Sequence, residues 1–309
     1  MSEKITQELL SRLEERGYKG RIVSTRHLGK LREEIEAQYR QRLFDEEFYH
    51  ERLTSFTFSP PESLPDARSL IVVAVPQPQI RITFTWDGER VPAMVPPTYL
   101  HWRETDRQVE GLLAETLSPQ GYRVAQAVLP EKLLAVHSGL GAYGRNNICY
   151  VEGMGSFHRP TVVYSDVPCQ EDNWQELRMM ESCQKCSACL RRCPTGAITA
   201  ERFLFHAERC ITFRNEKPGD VPFPAWLDPS WHNCLVGCLR CQSICPQNDD
   251  VLQWVEEGTE FSQEETALLL QGVALDQLPT ETVAKLQQSD LVDLLDIIPR
   301  NLGVLLNRP

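Results

Sequence analysis

The sequence lacks any apolar run of about eighteen residues, the length that a membrane-spanning helix needs. It also lacks a secretory signal, since its first residues, MSEKITQELLSRLEERGY, are charged and amphipathic. Positive charge is scarce: 32 Lys and Arg stand against 43 Asp and Glu, for a net charge of −11 at pH 7. These shortages predict a cytoplasmic protein with no membrane partner, and they disfavour a protein that wraps a polyanion.

Cysteine, in contrast, is abundant. The chain has 11 cysteines, and nine of them lie between Cys183 and Cys245. A protein that is not exported seldom carries a disulfide framework, because the cytosol keeps thiols reduced. Clustered cysteines in such a protein indicate bound metal instead.

The clustered cysteines fall mainly into two runs, and the spacing of the first is that of bacterial two-cluster ferredoxins. Three closely spaced thiolates can wrap one 4Fe–4S cube, whereas the fourth, just before a proline, reaches the neighbouring cube. A pair of structural zinc sites is the alternative, since C-x2-C pairs also bind zinc, but zinc has no use for a doubled C-x3-C-P. The two runs are Cys183-x2-Cys186-x2-Cys189-x3-Cys193-Pro194 and Cys234-x3-Cys238-x2-Cys241-x3-Cys245-Pro246.

Nine clustered cysteines compete for the eight ligand positions of two cubes. Spacing alone favours Cys234 as the eighth ligand, although its distance from Cys238 is one residue longer than the ferredoxin pattern. Cys210, in the short apolar segment ERCITF, can serve instead, and spacing leaves both possibilities open. Cys149 and Cys169 lie outside the runs, and we expect them to be buried, inert thiols.

The first 165 residues or so combine helix and strand patterns, which predicts an α/β fold. The amphipathic stretch 2–16 is a helix pattern, and SLIVVAV at 69–75 is typical of a strand buried on both faces. Asp87-Gly88 predicts a tight hairpin turn between 81–86 and 89–95, with Pro92 confining the second arm to an edge. Helices are expected at 104–117 and 131–137, and short strands at 148–151 and 161–164.

Beyond Asp250 the chain is expected to be helical and acidic. It has eleven Asp or Glu against three Lys or Arg from that residue on. Ser262 and Glu265 form a capping-box pattern before an apolar run, and a second apolar run ends before Pro299. We therefore predict three parts: an α/β domain over 1–175, a two-cluster domain over 176–250, and a helical tail over 251–309 that packs on the core.

Several motifs together resemble the epoxyqueuosine reductases, which share a core with the reductive dehalogenases. The shared pattern has an apolar helix, a Gly-Leu-Gly turn, an aromatic residue, Gly-Lys/Arg-Asn, and then Gly-Ser before a strand ending in Asp. The two cysteine runs follow that pattern in both. The matching residues here are Gly139-Leu140-Gly141, Tyr143, Gly144-Arg145-Asn146, Gly155-Ser156 and Asp166, then CPTGAI at 193–198, CITF at 210–213 and GCLRCQSICPQN at 237–248.

The resemblance implies a nitroreductase-like α/β core that binds cobalamin, followed by a ferredoxin-like domain with two 4Fe–4S clusters. It implies that the dimethylbenzimidazole is held off the cobalt, and the chain indeed has no D-x-H-x-x-G motif for a histidine ligand. The resemblance also assigns the cysteines and leaves Cys234 free. Cys183, Cys186, Cys189 and Cys245 would hold one cube, and Cys193, Cys210, Cys238 and Cys241 the other.

The resemblance also points to a cobalamin-binding segment, in which glycines let the backbone approach the macrocycle. Arg145 and Asn146 would bond its phosphate or side amides. The alternative is that these glycines only make turns and that Arg145 caps a strand end. The predicted cofactor-binding residues are Gly139, Leu140, Gly141, Arg145, Asn146, Gly155, Ser156 and Phe157.

The chain departs from the family at the proposed general acid. The family has an Asp a little upstream of the Gly-Leu-Gly helix, where this chain has Ala125-Gln126-Ala127-Val128. Because an amide cannot supply that proton, the remaining donors are His137 and the three predicted catalytic residues. Those three are Tyr143, Arg145 and Tyr99.

The function predicted from these features is a reductase. Electrons from a ferredoxin- or flavodoxin-type donor would pass through two clusters to the corrinoid, which performs the hard chemistry on the substrate. A tRNA substrate follows from the resemblance alone. The alternatives are a two-cluster electron carrier or reductive activator without a corrinoid, and a reductive dehalogenase-like enzyme. The long segment before Cys183 argues against a bare carrier.

Overall fold

A computed structural model describes residues 2–307 of the 309-residue chain. The last two residues of the predicted tail lie outside this range. The α-helices are α1 Ser2–Glu15, α2 Leu28–Arg40, α3 Glu46–Arg52, α4 Trp102–Leu117, α5 Glu131–His137, α6 Ala188–Arg192, α7 Ile211–Asn215, α8 Gln263–Leu270, α9 Thr280–Gln288 and α10 Ile298–Leu306. The strands are β1 Lys19–Ser24, β2 Ser69–Pro76, β3 Gln79–Trp86, β4 Glu89–Val95, β5 Val124–Gln126, β6 Ala142–Tyr143, β7 Cys149–Tyr150, β8 His158–Ser165 and β9 Val255–Phe261.

The chain folds into two compact units, each assembled from separate stretches of sequence. The first unit contains the residues up to Pro76 together with Trp102–Ser187 and Glu201–Leu204. The second unit contains Gln77–His101, Ala188–Ala200 and the residues from Phe205 onward. The three-part division drawn from the sequence stays a prediction.

The first unit is built on an antiparallel sheet with the strand order β1-β2-β8-β5. Strand β2 lies inside this sheet, and its first seven residues are all buried, as the apolar run predicts. Alternate residues face opposite sides of the sheet. Leu70, Val72 and Ala74 therefore join one apolar core, while Ile71 and Val73 join the other.

The second unit contains a smaller sheet, in the order β4-β3-β9. Strands β3 and β4 form the predicted hairpin around Asp87 and Gly88, both of which have positive φ. Pro92 lies on the edge strand β4, where its missing N–H costs no central hydrogen bond.

The tail contains α8, the helix that the capping box predicts, and two further helices, α9 and α10, but it begins with a strand where a helix was expected. Residues 255–261 pair in parallel with β3, and this pairing brings Glu257 next to Arg81 and Glu260 next to Arg90. The capping box at Ser262 is present, since its side chain accepts from the Glu265 N–H and the Glu265 carboxylate accepts from the Ser262 N–H.

The second predicted apolar run of the tail does not form one helix that ends before Pro299. That proline lies in the first turn of α10, where its fixed φ suits a helix start. The apolar faces of α8, α9 and α10 pack with β3, β4 and β9 in the core of the second unit. Within residues 2–307, no helix is long and apolar enough to cross a bilayer.

Candidate functional site

Five cysteines of the second unit lie close enough for electrostatic influence: Cys189, which acts on Cys241, and the four residues Cys193, Cys210, Cys238 and Cys241. Burial, reinforced by the neighbouring thiols Cys210 and Cys193, raises the pKa of Cys238 to about 12. Burial likewise raises the pKa of Cys241, with Cys238, Cys210, Cys193 and Cys189 adding to the effect. It raises the pKa of Cys210 as well, and Cys193 adds to it. These four residues are one of the two ligand sets that the resemblance implies.

A 4Fe–4S cluster would bind these cysteines as thiolates, because coordination to iron displaces the thiol proton. None of the eleven cysteines, all of which the structure describes, forms a disulfide. Among the residues that the structure describes, no three His, Cys, Asp or Glu side chains converge tightly enough to hold one metal ion. A 4Fe–4S cube has a different requirement, because its four thiolates bind four separate iron atoms and stand further apart than the ligands of one zinc ion.

An amide network fixes the backbone that carries Cys210 and Cys238. Asn215, at the end of the short helix that follows Cys210, is fully buried. Its side chain donates to the Gly237 carbonyl at 2.7 Å and accepts from the Gly237 N–H at 3.0 Å. Since Gly237 directly precedes Cys238, this pair ties together the two segments that carry these cysteines.

The C-terminal helix α10 completes this network with Arg300 and Asn301. The buried Asn301 side chain donates to the carbonyls of Asn215 and Leu235, each at 2.9 Å. The Arg300 guanidinium donates to four carbonyls between 2.7 and 2.9 Å. These carbonyls belong to Asn215, Lys217, Pro218 and Val221.

Tyr99, a predicted catalytic residue, lies in the second unit beside this network. Its hydroxyl donates to Glu216, and its ring packs so closely on Gly237 that a Cβ there would lie 2.7 Å from the ring. Burial and then the Glu216 carboxylate raise the pKa of Tyr99, and Cys210 and Cys234 contribute too. Tyr99 therefore neighbours both candidates for the eighth ligand.

The first cysteine run begins in the first unit, where Arg145 holds its backbone. The Arg145 guanidinium donates from Nη2 to the Cys183 carbonyl at 2.8 Å and from Nε to the Cys186 carbonyl at 3.0 Å. A longer contact of 3.5 Å reaches the Gln184 carbonyl. That Arg145 bonds the corrinoid phosphate or side amides stays a prediction; in this structure its donors are directed at the turn that carries two predicted cluster ligands.

The hairpin of β6 and β7 delivers Arg145 to that turn. Strand β6 also contacts the chain just before the first cysteine run, since the Tyr143 carbonyl accepts a hydrogen bond from the Met180 N–H at 2.9 Å. Gly144 has no room for a side chain, because a Cβ would lie 2.6 Å from Asn146 Oδ1. The buried Asn146 side chain donates to the Tyr150 hydroxyl at 2.8 Å. The Gly144-Arg145-Asn146 motif is therefore engaged within the protein.

Tyr143, the predicted proton donor of the first unit, is buried and packs edge-on against Phe203. Burial raises its pKa, and the neighbouring Cys149 and Glu34 raise it further. Tyr143 and Arg145 share the β6–β7 hairpin, but Tyr99 belongs to the other unit. Cys149 is buried as expected, and burial raises its pKa to about 12. Cys169 is half-buried, and its pKa is raised to about 11 for the same reason.

The glycines of the Gly-Leu-Gly turn pack against protein. Gly139 has a φ of +70°, and a Cβ there would lie 2.1 Å from Gln175 Nε2. At Gly141 a Cβ would lie 2.7 Å from both Cys149 Sγ and the Tyr150 carbonyl. Leu140 between them is buried in one core of the first unit. The interpretation that these glycines only make turns therefore has direct structural support.

The Gly155-Ser156-Phe157 segment forms a tight turn before β8. Gly155 has a φ of +54°, and its carbonyl accepts from the Val151 N–H at 2.9 Å. Ser156 is buried, and Phe157 is completely buried. The roles of these residues as cofactor contacts stay predictions.

His137, another candidate donor, lies in a stack of three rings. Its ring is 4.3 Å from that of Trp174, whose other face lies 4.1 Å from His27. The Nδ1 atom of His137 bonds the Gln175 carbonyl at 2.6 Å, and its Nε2 atom bonds Glu34 at 2.9 Å. Both ring nitrogens of His137 are thus engaged with protein.

The structure offers a carboxyl that sequence reasoning missed. Gln126, in the stretch 125–128 where the resemblance implies an Asp, is exposed and donates to Glu110 at 2.9 Å. Five residues later, Glu131 opens α5, and burial raises its pKa to about 7 in spite of nearby Arg159. Arg159 is itself paired with Asp106 through two bonds of 2.8 and 2.7 Å. No sequence signal marked Glu131, because its pKa depends on burial and on residues distant in sequence.

Comparison with known proteins defines the class of this one. Residues 182–248 match the 4Fe–4S double cluster binding domain family. The protein therefore combines an α/β fold with a domain that binds two 4Fe–4S clusters, as the cysteine spacing predicts.

The sequence relatives are epoxyqueuosine reductases, which confirms the resemblance. The chain is 32% identical over 149 residues to the enzyme of Pseudomonas aeruginosa, an alignment that covers 47% of this chain and 40% of the relative. It is 37% identical over 126 residues to the Escherichia coli enzyme, covering 40% of this chain and 31% of the relative. The aligned stretches thus span less than half the length of these curated relatives.

Solved epoxyqueuosine reductases share the fold over nearly the whole chain. The Bacillus subtilis structure matches with a TM-score of 0.65 at 19% identity, covering 99% of this chain and 82% of that one. An epoxyqueuosine reductase bound to an epoxyqueuosine-modified tRNA stem loop matches with a TM-score of 0.68 at 20% identity and the same coverage. The predicted α/β core with a ferredoxin-like part is therefore confirmed as the fold.

Proposed function

We propose that this protein is an iron–sulfur, cobalamin-dependent reductase of the epoxyqueuosine reductase type, acting in the cytoplasm. The observation that carries the proposal is the double cluster domain, within which four cysteines of the second unit lie together. The sequence relationship and the shared fold support the cobalamin dependence and the reductase activity.

We assign the cluster ligands as the family resemblance implies. Cys183, Cys186, Cys189 and Cys245 hold the first cluster, and Cys193, Cys210, Cys238 and Cys241 hold the second. Support for the second set comes from the electrostatic influence of Cys193 and Cys210 on Cys238 and Cys241. Cys234 is the spare cysteine in this assignment. The hydrogen bonds of Asn215 and Asn301 hold the backbone on both sides of the second set, as preorganised ligands require.

The side chains predicted for cobalamin do not form a ready cradle for it. Arg145 and Asn146 are bonded to protein groups, and the Cβ sides of Gly139 and Gly141 face protein atoms. The corrinoid part of the proposal therefore relies on the sequence relatives and the fold, and no step is assigned to these side chains. When bound, cobalamin would supply the low-potential cobalt centre that performs the reduction.

Proton supply is the part of the chemistry for which this chain's own residues offer a candidate. Desolvation raises the pKa of Glu131 to about 7 in spite of nearby Arg159, and a carboxyl with a pKa near neutrality suits a group that gives and takes a proton. The buried tyrosines are weaker candidates, since burial raises the pKa of both Tyr143 and Tyr99 far from neutrality. Gln126 cannot replace the family's Asp in this role.

The partners in this proposal are an electron donor of the ferredoxin or flavodoxin type and a tRNA substrate. A structural neighbour bound to a modified tRNA stem loop supports the second. No membrane partner is proposed.

Three measurements on anaerobically purified protein test the proposal in order. Iron and sulfide analysis should give two 4Fe–4S clusters per chain, and zinc in place of iron would defeat the iron–sulfur part. Titration with cobalamin, followed by absorbance, should show saturable binding. If it does not, the two-cluster electron carrier is the better description.

The third measurement is turnover with an epoxyqueuosine-containing tRNA stem loop and a chemical reductant. Activity there supports the substrate assignment, whereas binding of cobalamin without turnover would leave a corrinoid reductase with another substrate. The Cys186→Ser variant is the control, because it should lose the first cluster and all turnover.

A further inference from the structure

We propose that Arg145 is a positioning residue for the first 4Fe–4S cluster, where it holds the ligand turn and places a positive charge beside it. The inference rests on the iron–sulfur part of the proposed function and is independent of the corrinoid part. It replaces the expected role of Arg145 as a contact of the cofactor phosphate.

The Arg145 guanidinium bonds two backbone carbonyls, both of which belong to predicted cluster ligands. Arg145 donates to the carbonyls of Cys183 and Cys186, two of the three closely spaced ligands of the first run, at 2.8 and 3.0 Å. A guanidinium presents its N–H groups in a rigid plane, so two bonds fix the distance between the two carbonyls. The spacing of two cluster ligands is thereby tied to one side chain.

The hairpin that holds Arg145 is anchored to the same segment. The Tyr143 carbonyl accepts from the Met180 N–H, and Cys183 follows in the next turn, where its own N–H donates to the Met180 carbonyl at 3.0 Å. The tight packing at Gly144 and the Asn146–Tyr150 bond fix the shape of the hairpin. Arg145 therefore approaches the cysteine turn from a rigid support.

The positive charge of Arg145 also affects the cluster electrostatically. A 4Fe–4S cluster held by four thiolates is anionic, and reduction adds one more negative charge. The half-buried Arg145 guanidinium lies against the backbone of this turn, where charges are screened less than in bulk water. A cation there favours the reduced cluster, so Arg145 should raise the reduction potential of the first cluster relative to a neutral residue.

The test is a redox titration of the holoprotein, monitored by EPR, for the wild type and the variants Arg145→Gln and Arg145→Lys. Arg145→Gln should shift the potential of one cluster to more negative values and leave the other unchanged. Arg145→Lys keeps the charge but loses the planar fork, so its potential should lie closer to the wild type while its EPR line shape changes. Arg12→Gln, at an exposed arginine paired with Glu8, is the matched control and should change neither cluster.

Iron content and cobalamin titration of the same variants complete the test. If Arg145→Gln loses half of the iron and Arg145→Lys retains it, the positioning role is supported even where the reduction potential of the first cluster cannot be measured. Unchanged potentials, line shapes and iron content would overturn the proposal. Unchanged clusters with weakened cobalamin binding would do so as well, and would return Arg145 to the corrinoid. Failure of the wild type to bind cobalamin would affect only the proposed function.

Discussion

The two units support their cysteine segments with different kinds of polar interactions. In the second unit, the buried amides of Asn215 and Asn301 cross-link the backbone around Cys210 and Cys238. In the first unit, the half-buried cation of Arg145 holds the turn from a short hairpin. Elsewhere the first unit holds a half-buried carboxyl, Glu131, whose pKa is raised to about 7 by desolvation.

This difference suggests that the two units respond to different perturbations. Neutral amides contribute hydrogen bonds whose strength does not depend on pH, but they are costly to remove because they leave buried carbonyls without donors. A buried carboxyl makes stability depend on pH, and a cation near a cluster affects its potential. The predictions below separate these effects.

The largest effect is expected at Asn301. Replacement by Ala removes the donors to the buried carbonyls of Asn215 and Leu235, which should cost about 2–5 kcal/mol of unfolding free energy. Iron content should fall by up to half, because the segment around the second ligand set loosens. Chemical denaturation measures the loss of unfolding free energy, and iron analysis measures the loss of cluster. The difference between Asn301→Ala and the wild type should be the same throughout the range of about pH 6 to 8.

Asn307→Ala is the matched control for this prediction. Asn307 follows the same helix, is exposed, and bonds only the Gly303 carbonyl at 2.8 Å. It should change stability by less than about 0.5 kcal/mol. If Asn301→Ala proves equally mild, the tail is not needed for the second ligand set.

The next largest effect is expected at Glu131, where the free energy of unfolding should depend on pH. Its pKa in the folded protein is about 7, against an ordinary value of 4.5. Below about pH 4.5 the carboxyl is protonated in both states. Between about pH 4.5 and 7 the carboxyl loses its proton in the unfolded protein but keeps it in the folded one, so stability falls over this range and is lowest above it. Glu131→Gln removes this penalty and should be more stable than the wild type at pH 8, by at most about 3 kcal/mol.

Unfolding curves at pH 5 and pH 8 check the sign. The advantage of Glu131→Gln should be small at pH 5 and largest at pH 8. An advantage that is the same at both pH values, or a loss at pH 8 from the weakened contact with Arg159, would mean that Glu131 is already charged in the folded protein.

A smaller effect is expected at Gly141. Its Cβ position is filled by Cys149 Sγ and the Tyr150 carbonyl, and the backbone atom cannot move away easily. Gly141→Ala should therefore destabilise the protein by about 1–3 kcal/mol even without cofactor.

Gly111, on the exposed face of α4 with open space at its Cβ, provides the control. Gly111→Ala should stabilise the protein by about 0.5–1 kcal/mol through helix propensity. If Gly141→Ala leaves stability intact but abolishes cobalamin binding, the cofactor reading of this glycine is correct and the packing reading is wrong.

Local sequence patterns predicted much of the fold. The buried strand Ser69–Pro76, the hairpin at Asp87-Gly88 and the capping box at Ser262 each depend on neighbouring residues, and all are present. Strand β9, VEEGTEF, was missed because its glutamates do not form an apolar strand pattern. Its partners on β3 lie about 175 residues away in sequence, and only the tertiary fold brings them together.

The same distinction, between features set by local sequence and features set by the tertiary fold, applies to the candidate site. Cysteine spacing revealed the two clusters, because the ligands are side chains with a sequence signature. The partners of Arg145 are backbone carbonyls, which every residue has, so no pattern could have pointed to Cys183 and Cys186. The raised pKa of Glu131 was equally hidden, since burial and Arg159 arise only in the folded chain.

The central claim is that Cys210 is a cluster ligand and Cys234 is not. Serine variants of each, reconstituted anaerobically, test it directly by iron content and EPR. We predict that Cys210→Ser loses the signal of one cluster and up to half of the iron, while Cys234→Ser retains both clusters. Loss of a cluster in Cys234→Ser, with both retained in Cys210→Ser, would contradict the assignment and favour the simple spacing rule.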